Sequence, residues 1–261
     1  MPSQNDTALA FKALHKPGSP LVLTNVWDAI TAKTIASLPT TKALATASFA
    51  IAAAAGLADD DLTLDVNLRA AAAIAKVAQA FNLPLTVDFQ DGFAEQLEEG
   101  VRKVIQLGAV GINLEDFGRE KKALYSIAEA QDRIRRVLKV AKEEGVPDFV
   151  VNARTDTLYN GGEVDEAIER GKAYLEAGAA NVFIWGGPSR KGWSKEEVIK
   201  ATEALNGKLN VILVRVVPGG LSIKELGEIG VARISVGPQL MLKTAGLVGE
   251  EASRILNDEA V

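Results

Sequence analysis

Eight short apolar runs, six of them followed by a helix-period segment, take up most of this 261-residue sequence. The runs are 21–24, 43–47, 85–88, 111–115, 149–154, 181–185, 211–216 and 233–236. Helical periodicity follows at 66–80, 95–107, 128–144, 163–177, 195–205 and 222–229, and Gly108, Gly178 and Gly230 stand where helices should stop. Strands separated by helices must run parallel, and eight such units predict closure into a (β/α)8 TIM barrel of the α/β class. A doubly wound open sheet is the alternative, but no Gly-rich dinucleotide loop follows the first run. No linker or composition shift interrupts the pattern. Residues 1–261 therefore read as a single domain, with 247–261 as a short charged helix beyond the eighth strand.

Several chemistries are excluded at once. There is no cysteine, so disulfides, thiolate nucleophiles and Cys-ligated metals have no material. The one histidine, His15, lies in a polar context and is expected at an exposed helix end, which leaves nothing for a histidine triad. A net charge of −5 and the lack of a basic run argue against nucleic-acid or anionic-membrane partners. The N-terminus carries no apolar signal core and 43–57 is too short to span a bilayer, so a cytoplasmic location is expected.

Barrel chemistry sits at the C-terminal ends of strands, and residues two apart share a face. Thr86 and Asp88 end the third strand, Asn113 and Glu115 the fourth, Asn152 and Arg154 the fifth. Polar pairs occupy positions where a purely structural core would hold Val, Ile or Leu. Carboxylates about 5 Å apart on neighbouring strands repel by roughly 3 kcal/mol at an effective dielectric near 20. Arg154 can neutralise one of them and close a polar plug. A divalent cation would neutralise the rest, and a hard oxygen site favours Mg²⁺, with Mn²⁺ as its substitute, over zinc. Asp116 should point away from Glu115 and pair locally. Asp59-Asp60-Asp61 reads as a solvated loop, and Trp185 as packing at the barrel top. Arg215 is either a clamp for a substrate carboxylate or a residue facing the helix layer. Glycines at 219, 220 and 237 give a weak phosphate-loop signal. No strand ends in lysine, which disfavours a Schiff-base mechanism.

Ordered motifs then carry a resemblance: Asn25-Val-Trp27-Asp28-Ala29, Ala43-Leu-Ala-Thr-Ala-Ser48, Val87-Asp88-Phe-Gln-Asp-Gly92-Phe93, Gly108-Ala-Val-Gly-Ile-Asn113-Leu-Glu115-Asp116, Val151-Asn152-Ala153-Arg154-Thr155-Asp156 and Gly230-Val-Ala-Arg-Ile-Ser-Val-Gly237. Over nearly its whole length the chain resembles the isocitrate lyase and phosphoenolpyruvate mutase superfamily. The resemblance implies a Mg²⁺-dependent enzyme making or breaking a C–C bond beside an α-keto or enol carboxylate of pyruvate or oxaloacetate type. A C–C hydrolase, a phosphonate mutase, or a diverged barrel that only binds a carboxylate metabolite are the alternatives. It implies Asp88 as direct metal ligand, with Asp59 and Glu115 holding the metal's waters. The backbone of Ala47, Ser48 and Phe49 would receive the substrate's carboxylate and keto end, and Arg154 would contact it, with Glu115 and Arg154 as catalytic residues. Trp27, Asn113, Asn152, Trp185 and Arg215 would complete the substrate site. A small-molecule carboxylate and a homo-oligomer, dimer or tetramer, are the implied partners. Departures stand beside these matches. The segment 117–124 is a short, cysteine-free lid, Gln90 replaces a common acid, Trp185 replaces an acid–base residue, and the tail is short.

Overall fold

The computed structural model describes residues 2–187, 194–213 and 220–258. The barrel staves are β1 (Leu21–Leu23) continued by β2 (Asn25–Val26), β3 (Leu44–Thr46), β4 (Leu85–Asp88), β5 (Gly111–Glu115), β8 (Val150–Thr155), β9 (Asn181–Ile184), β10 (Leu209–Ile212) and β11 (Arg233–Ser235). Pairing runs β1-β11-β10-β9-β8-β5-β4-β3-β2, all parallel. Since β1 and β2 are two pieces of one stave, that order closes the expected (β/α)8 barrel. A small antiparallel hairpin, β6 (Phe117–Gly118) with β7 (Ala123–Leu124), stands above the β5 stave.

The crossover helices match the periodic segments closely: α4 (Leu64–Ala80), α5 (Leu97–Gln106), α6 (Ile127–Glu143), α7 (Val164–Glu176), α8 (Lys195–Ala204) and α9 (Ile223–Ile229). Their starts are chemically marked. Ser126, Ser194 and Ser222 each cap a helix, and a glutamate three residues on bonds back to the cap. Gly230 ends α9 at φ 106°, a conformation only glycine adopts without strain. Three further helices lacked a clear period: α1 (Gln4–Ala13), α2 (Ala29–Ala36) and α3 (Ser48–Ala54). Two expectations shift. The seventh strand runs 209–212 rather than from 211, and 214–219, which include Arg215, Pro218 and Gly219, lie outside the described residues. The C-terminal helix is also longer than expected. Here α10 spans Gln239–Leu256, starting on the good helix formers Gln239 to Lys243 and continuing through Thr244 and Gly246.

Helix α1 closes the N-terminal floor of the barrel. Gln4 donates to the Ile105 and Ala109 carbonyls at 2.8 and 2.9 Å, Asn5 pairs with Asp148, and buried Phe11 packs beneath Gly111. This docking overturns the exposed position expected for His15. The ring is half-buried, edge-on to Phe11 at 4.9 Å, with Nδ1 3.0 Å from the Phe11 carbonyl. Burial first, and the Arg233 charge second, push its pKa down to about 3. The native state thus holds a neutral ring, while the unfolded chain protonates near pH 6.5. The contribution is complete above that pH and falls by about 1.4 kcal/mol per unit as pH drops toward 3. Urea unfolding at pH 7 and pH 5 should show wild type losing about 1–2 kcal/mol more than His15→Gln. Equal acid losses in the two proteins would remove His15 as the cause.

Candidate active site

At the C-terminal mouth, period-two alternation brings the expected polar pairs inward together. Asp88, Asn113 and Asn152 are register neighbours on β4, β5 and β8, and Glu115 is the neighbour of Arg154. Asp88 Oδ2 accepts from both the backbone N–H and the hydroxyl of Ser48, each at 2.9 Å, and Oδ1 accepts from Asn113 Nδ2 at 3.0 Å. Its backbone N–H donates to Thr46 Oγ1 at 2.8 Å. Three donors therefore hold the carboxylate in one rotamer, aimed at the mouth from a rigid strand end.

One layer higher, Arg154 is committed on three nitrogens. Nε and Nη2 form a fork on Asp156 at 2.6 and 3.0 Å, and Nη1 meets Glu115 Oε1 at 2.8 Å. The Arg154 guanidinium carbon lies over the Trp185 ring, 4.1 Å from its centre, and Tyr159 packs on the tryptophan at 4.9 Å with the rings tilted by 36°. A Cβ on Gly187 would strike the Tyr159 ring, so that turn must stay glycine, at φ 70°. Three carboxylates (Asp88, Glu115, Asp156) thus face one arginine, which leaves the mouth acidic. Burial, reinforced by Asp156 and Asp88 against the pull of Arg154, pushes the Glu115 carboxyl well above the ordinary glutamate range.

Asp116 turns away from the mouth, as its parity requires. It accepts from Tyr174 at 2.6 Å, Thr155 Oγ1 at 2.7 Å and the Asp156 N–H at 2.9 Å, with Arg170 at 3.5 Å. This buried network ties β5 to β8 and α7 and fixes where Asp156 starts.

Asp59 is not a free loop acid. It opens a short 3-10 turn (Asp59–Asp61), and Gln90 Nε2 donates to its carbonyl and its Oδ1, both at 3.0 Å. Arg119, carried by the β6–β7 hairpin, bonds the Asp59 carbonyl and reaches its Oδ2 at 3.1 Å and Asp60 at 3.3 Å. Asp91 anchors the hairpin by accepting from the Arg119 N–H at 3.2 Å and from Tyr125 at 3.4 Å. The short lid is therefore latched over the Asp59 loop. Among the described residues, no three acidic or imidazole groups converge as direct ligands of one ion.

The remaining sequence candidates divide. Ser48 belongs to the site through Asp88. The amides of Ala47 and Ser48 are engaged by the Val26 carbonyl and Asp88, while the Phe49 ring stands 43% exposed at the rim. Asn152 is wholly buried below the mouth, bonded to Asn113 and Asn181 rather than turned to a ligand. Trp27 is half-buried against the Ile51, Ala52 and Leu62 cluster. Sequence reasoning missed Asp156, Arg119 and Tyr159. Asp156 had a signal, since it continues the Asn152, Arg154 face by one more step.

Comparison with known proteins agrees with this geometry. The family model described as phosphoenolpyruvate phosphomutase matches residues 11–256. The uncharacterized protein Rv1998c of Mycobacterium tuberculosis (strain ATCC 25618 / H37Rv) is 33% identical over 254 residues, 96% of this chain and 90% of the relative. The 2,3-dimethylmalate lyase of Eubacterium barkeri is 31% identical over 221 residues, 82% of this chain and 73% of the relative. A solved phosphonopyruvate hydrolase complex with oxalate and Mg²⁺ superposes with a TM-score of 0.81 at 25% identity, covering 97% of this chain and 87% of that one. The strand-end carboxylates, their order along the barrel and these matches together place the chain in the isocitrate lyase and phosphoenolpyruvate mutase superfamily.

Proposed function

We propose that this protein is a Mg²⁺-dependent lyase making or breaking a C–C bond next to an α-keto or enol carboxylate of pyruvate or oxaloacetate type. The observation that carries this reading is the excess of carboxylate over arginine at the mouth, with Asp88 held ready by Ser48 and Asn113. Such a donor set fits a hard, hydrated cation held by one direct carboxylate, Asp88, with Glu115 and Asp59 reaching it through water. Bound there, the ion would supply a Lewis-acid charge against a developing enolate oxygen.

The chain's own residues supply the rest. Arg154, stacked on Trp185, keeps Glu115 and Asp156 in place, and its remaining N–H groups are available to a carboxylate ligand. Glu115 is buried, and burial raises its carboxyl above the ordinary glutamate range, the direction that favours exchange of a proton with a bound ligand. Trp185 cannot serve as acid or base. With Tyr159 it forms an aromatic pair that covers one side of Arg154. A carboxylate-binding barrel without lyase chemistry is the second reading, and the Arg119 latch on Asp59 favours it. Incubation with 2-hydroxy and 2-oxo diacids, with and without Mg²⁺, should release pyruvate or oxalate only with metal. Oxalate binding without turnover of any diacid would move the assignment to the second reading.

Self-association is part of the same proposal. Helix α10 buries none of its residues, and Leu242, Leu247, Val248, Ile255 and Leu256 are 54–84% exposed. An apolar helix face this open calls for a cover, and another copy of the chain supplies one. Sedimentation should report a dimer or tetramer, and Leu247→Asp with Val248→Asp should shift it to monomer. A monomeric wild type at micromolar concentration would remove the oligomer from the proposal.

A further inference from the structure

Beneath the mouth, the barrel interior is unusually polar. Asp88, Asn113, Asn152 and Asn181 are consecutive register neighbours across β4, β5, β8 and β9. Because barrel staves tilt and each layer draws on alternate strands, this row descends from the mouth to the floor. It is bonded throughout: Asn181 Nδ2 donates to Asn152 Oδ1 at 3.1 Å, Asn152 Nδ2 to Asn113 Oδ1 at 2.8 Å, and Asn113 Nδ2 to Asp88 Oδ1 at 3.0 Å. The direction is forced. A carboxylate only accepts, so Asn113 must present its amino group, and each amide below must follow suit.

That leaves Asn181 Oδ1 at the bottom without a donor. The same registers put Arg233 of β11 in the layer of Asn181, on alternate strands separated by β10. Arg233 is 2% exposed, its Nε and Nη1 have no hydrogen-bond partner, and no carboxylate is in contact with it among the described residues. Thr86 Oγ1, one layer up, is also unpartnered. Burial pushes this guanidinium down to about 9, and the one charge that acts to raise it is Asp88. Orphaned donors and orphaned acceptors thus lie buried in adjoining layers of the lower barrel, the setting in which a protein holds an internal water.

We infer that Arg233 is a positioning residue: through an enclosed water it donates to Asn181 Oδ1 and anchors a one-way amide wire that orients Asp88 for its cation. The wire has an acceptor-only end at the mouth and a donor-only end at the floor, so no amide in it can flip without leaving two groups unpaired. Aligned amides also polarise one another toward Asp88. Residues that orient a metal-binding carboxylate commonly change metal affinity 10–100-fold when removed.

This inference rests on the metal role proposed for Asp88, and substrate-free Mn²⁺ binding followed by electron paramagnetic resonance tests both. Asn181→Asp can pair with Arg233 but can no longer donate to Asn152. Arg233→Met removes the donor end. Charge alone predicts that both variants bind Mn²⁺ more tightly, since one adds an anion below the site and the other deletes a cation. The wire predicts the opposite: about tenfold weaker binding in both, with Asn181→Asp folded as judged by melting in EDTA. Should Arg233→Met fail to fold, Asn181→Asp decides alone. Wild-type affinity or tighter in Asn181→Asp, with Asp88→Asn deficient, overturns the wire and leaves the metal site standing. No Mn²⁺ binding by wild type overturns both.

Discussion

Asp88→Asn should abolish metal stabilisation. In the wild type, Mg²⁺ at a hundredfold above its dissociation constant should raise stability by about 2.7 kcal/mol, and the variant should show none of this. The metal-free variant should also be less stable, for a reason visible in the contacts. Three donors, the Ser48 N–H, the Ser48 hydroxyl and the Asn113 amide, converge on the two carboxylate oxygens. An asparagine offers one acceptor oxygen and must turn its own amino group toward a donor. Leaving such groups unpaired costs about 1–3 kcal/mol, partly offset by relieved repulsion with Glu115. Thermal unfolding of both proteins, each in EDTA and in excess Mg²⁺, reads the two effects separately. Equal wild-type melting with and without metal would defeat the metal site, whatever the variant does.

The reach of the sequence follows the range of the interactions. Strand parity is local, so the Asp88, Asn113, Glu115, Asn152 and Arg154 faces were legible from alternation alone. So was the outward turn of Asp116. The barrel itself was legible because each βα unit repeats the same local pattern, and the structure and the superfamily neighbours both bear it out. What escaped was set by packing between distant segments. Arg119 meets Asp59 only because a two-residue hairpin ladder folds over a loop about sixty positions away. His15 looked polar and exposed because nothing nearby in sequence announces that α1 lies across the barrel floor. Arg233 and Ser235 form an inward polar pair as plain as those at the mouth, yet Arg233 sits at the beginning of its strand, where structural roles are expected. Helix α10 was underestimated because it has no buried stripe to set its period.

Arg154 is where structural and functional demands meet, and its substitutions should separate them. Arg154→Met leaves Glu115 and Asp156 buried with no cation between them, which costs about 3–5 kcal/mol in the metal-free protein. The loss should depend on pH. Glu115 already lies above its ordinary range, and removing Arg154 deletes the attraction that lowers it. A carboxyl raised in the folded state contributes stability below its unfolded value, 4.5, and that contribution drains away as pH rises through the folded value. The methionine variant should therefore be closest to wild type near pH 5 and furthest from it near pH 8. Arg154→Lys keeps the charge but cannot form the fork on Asp156 or set a guanidinium over Trp185, so it should lose about 1.5–3 kcal/mol at either pH. Urea unfolding in EDTA at the two pH values, beside oxalate titration with Mg²⁺, gives the comparison. Wild-type stability in Arg154→Lys with oxalate binding lost would make Arg154 a ligand clamp first. Intact oxalate binding with the predicted instability would make it the counter-ion that lets Glu115 and Asp156 share the mouth with Asp88.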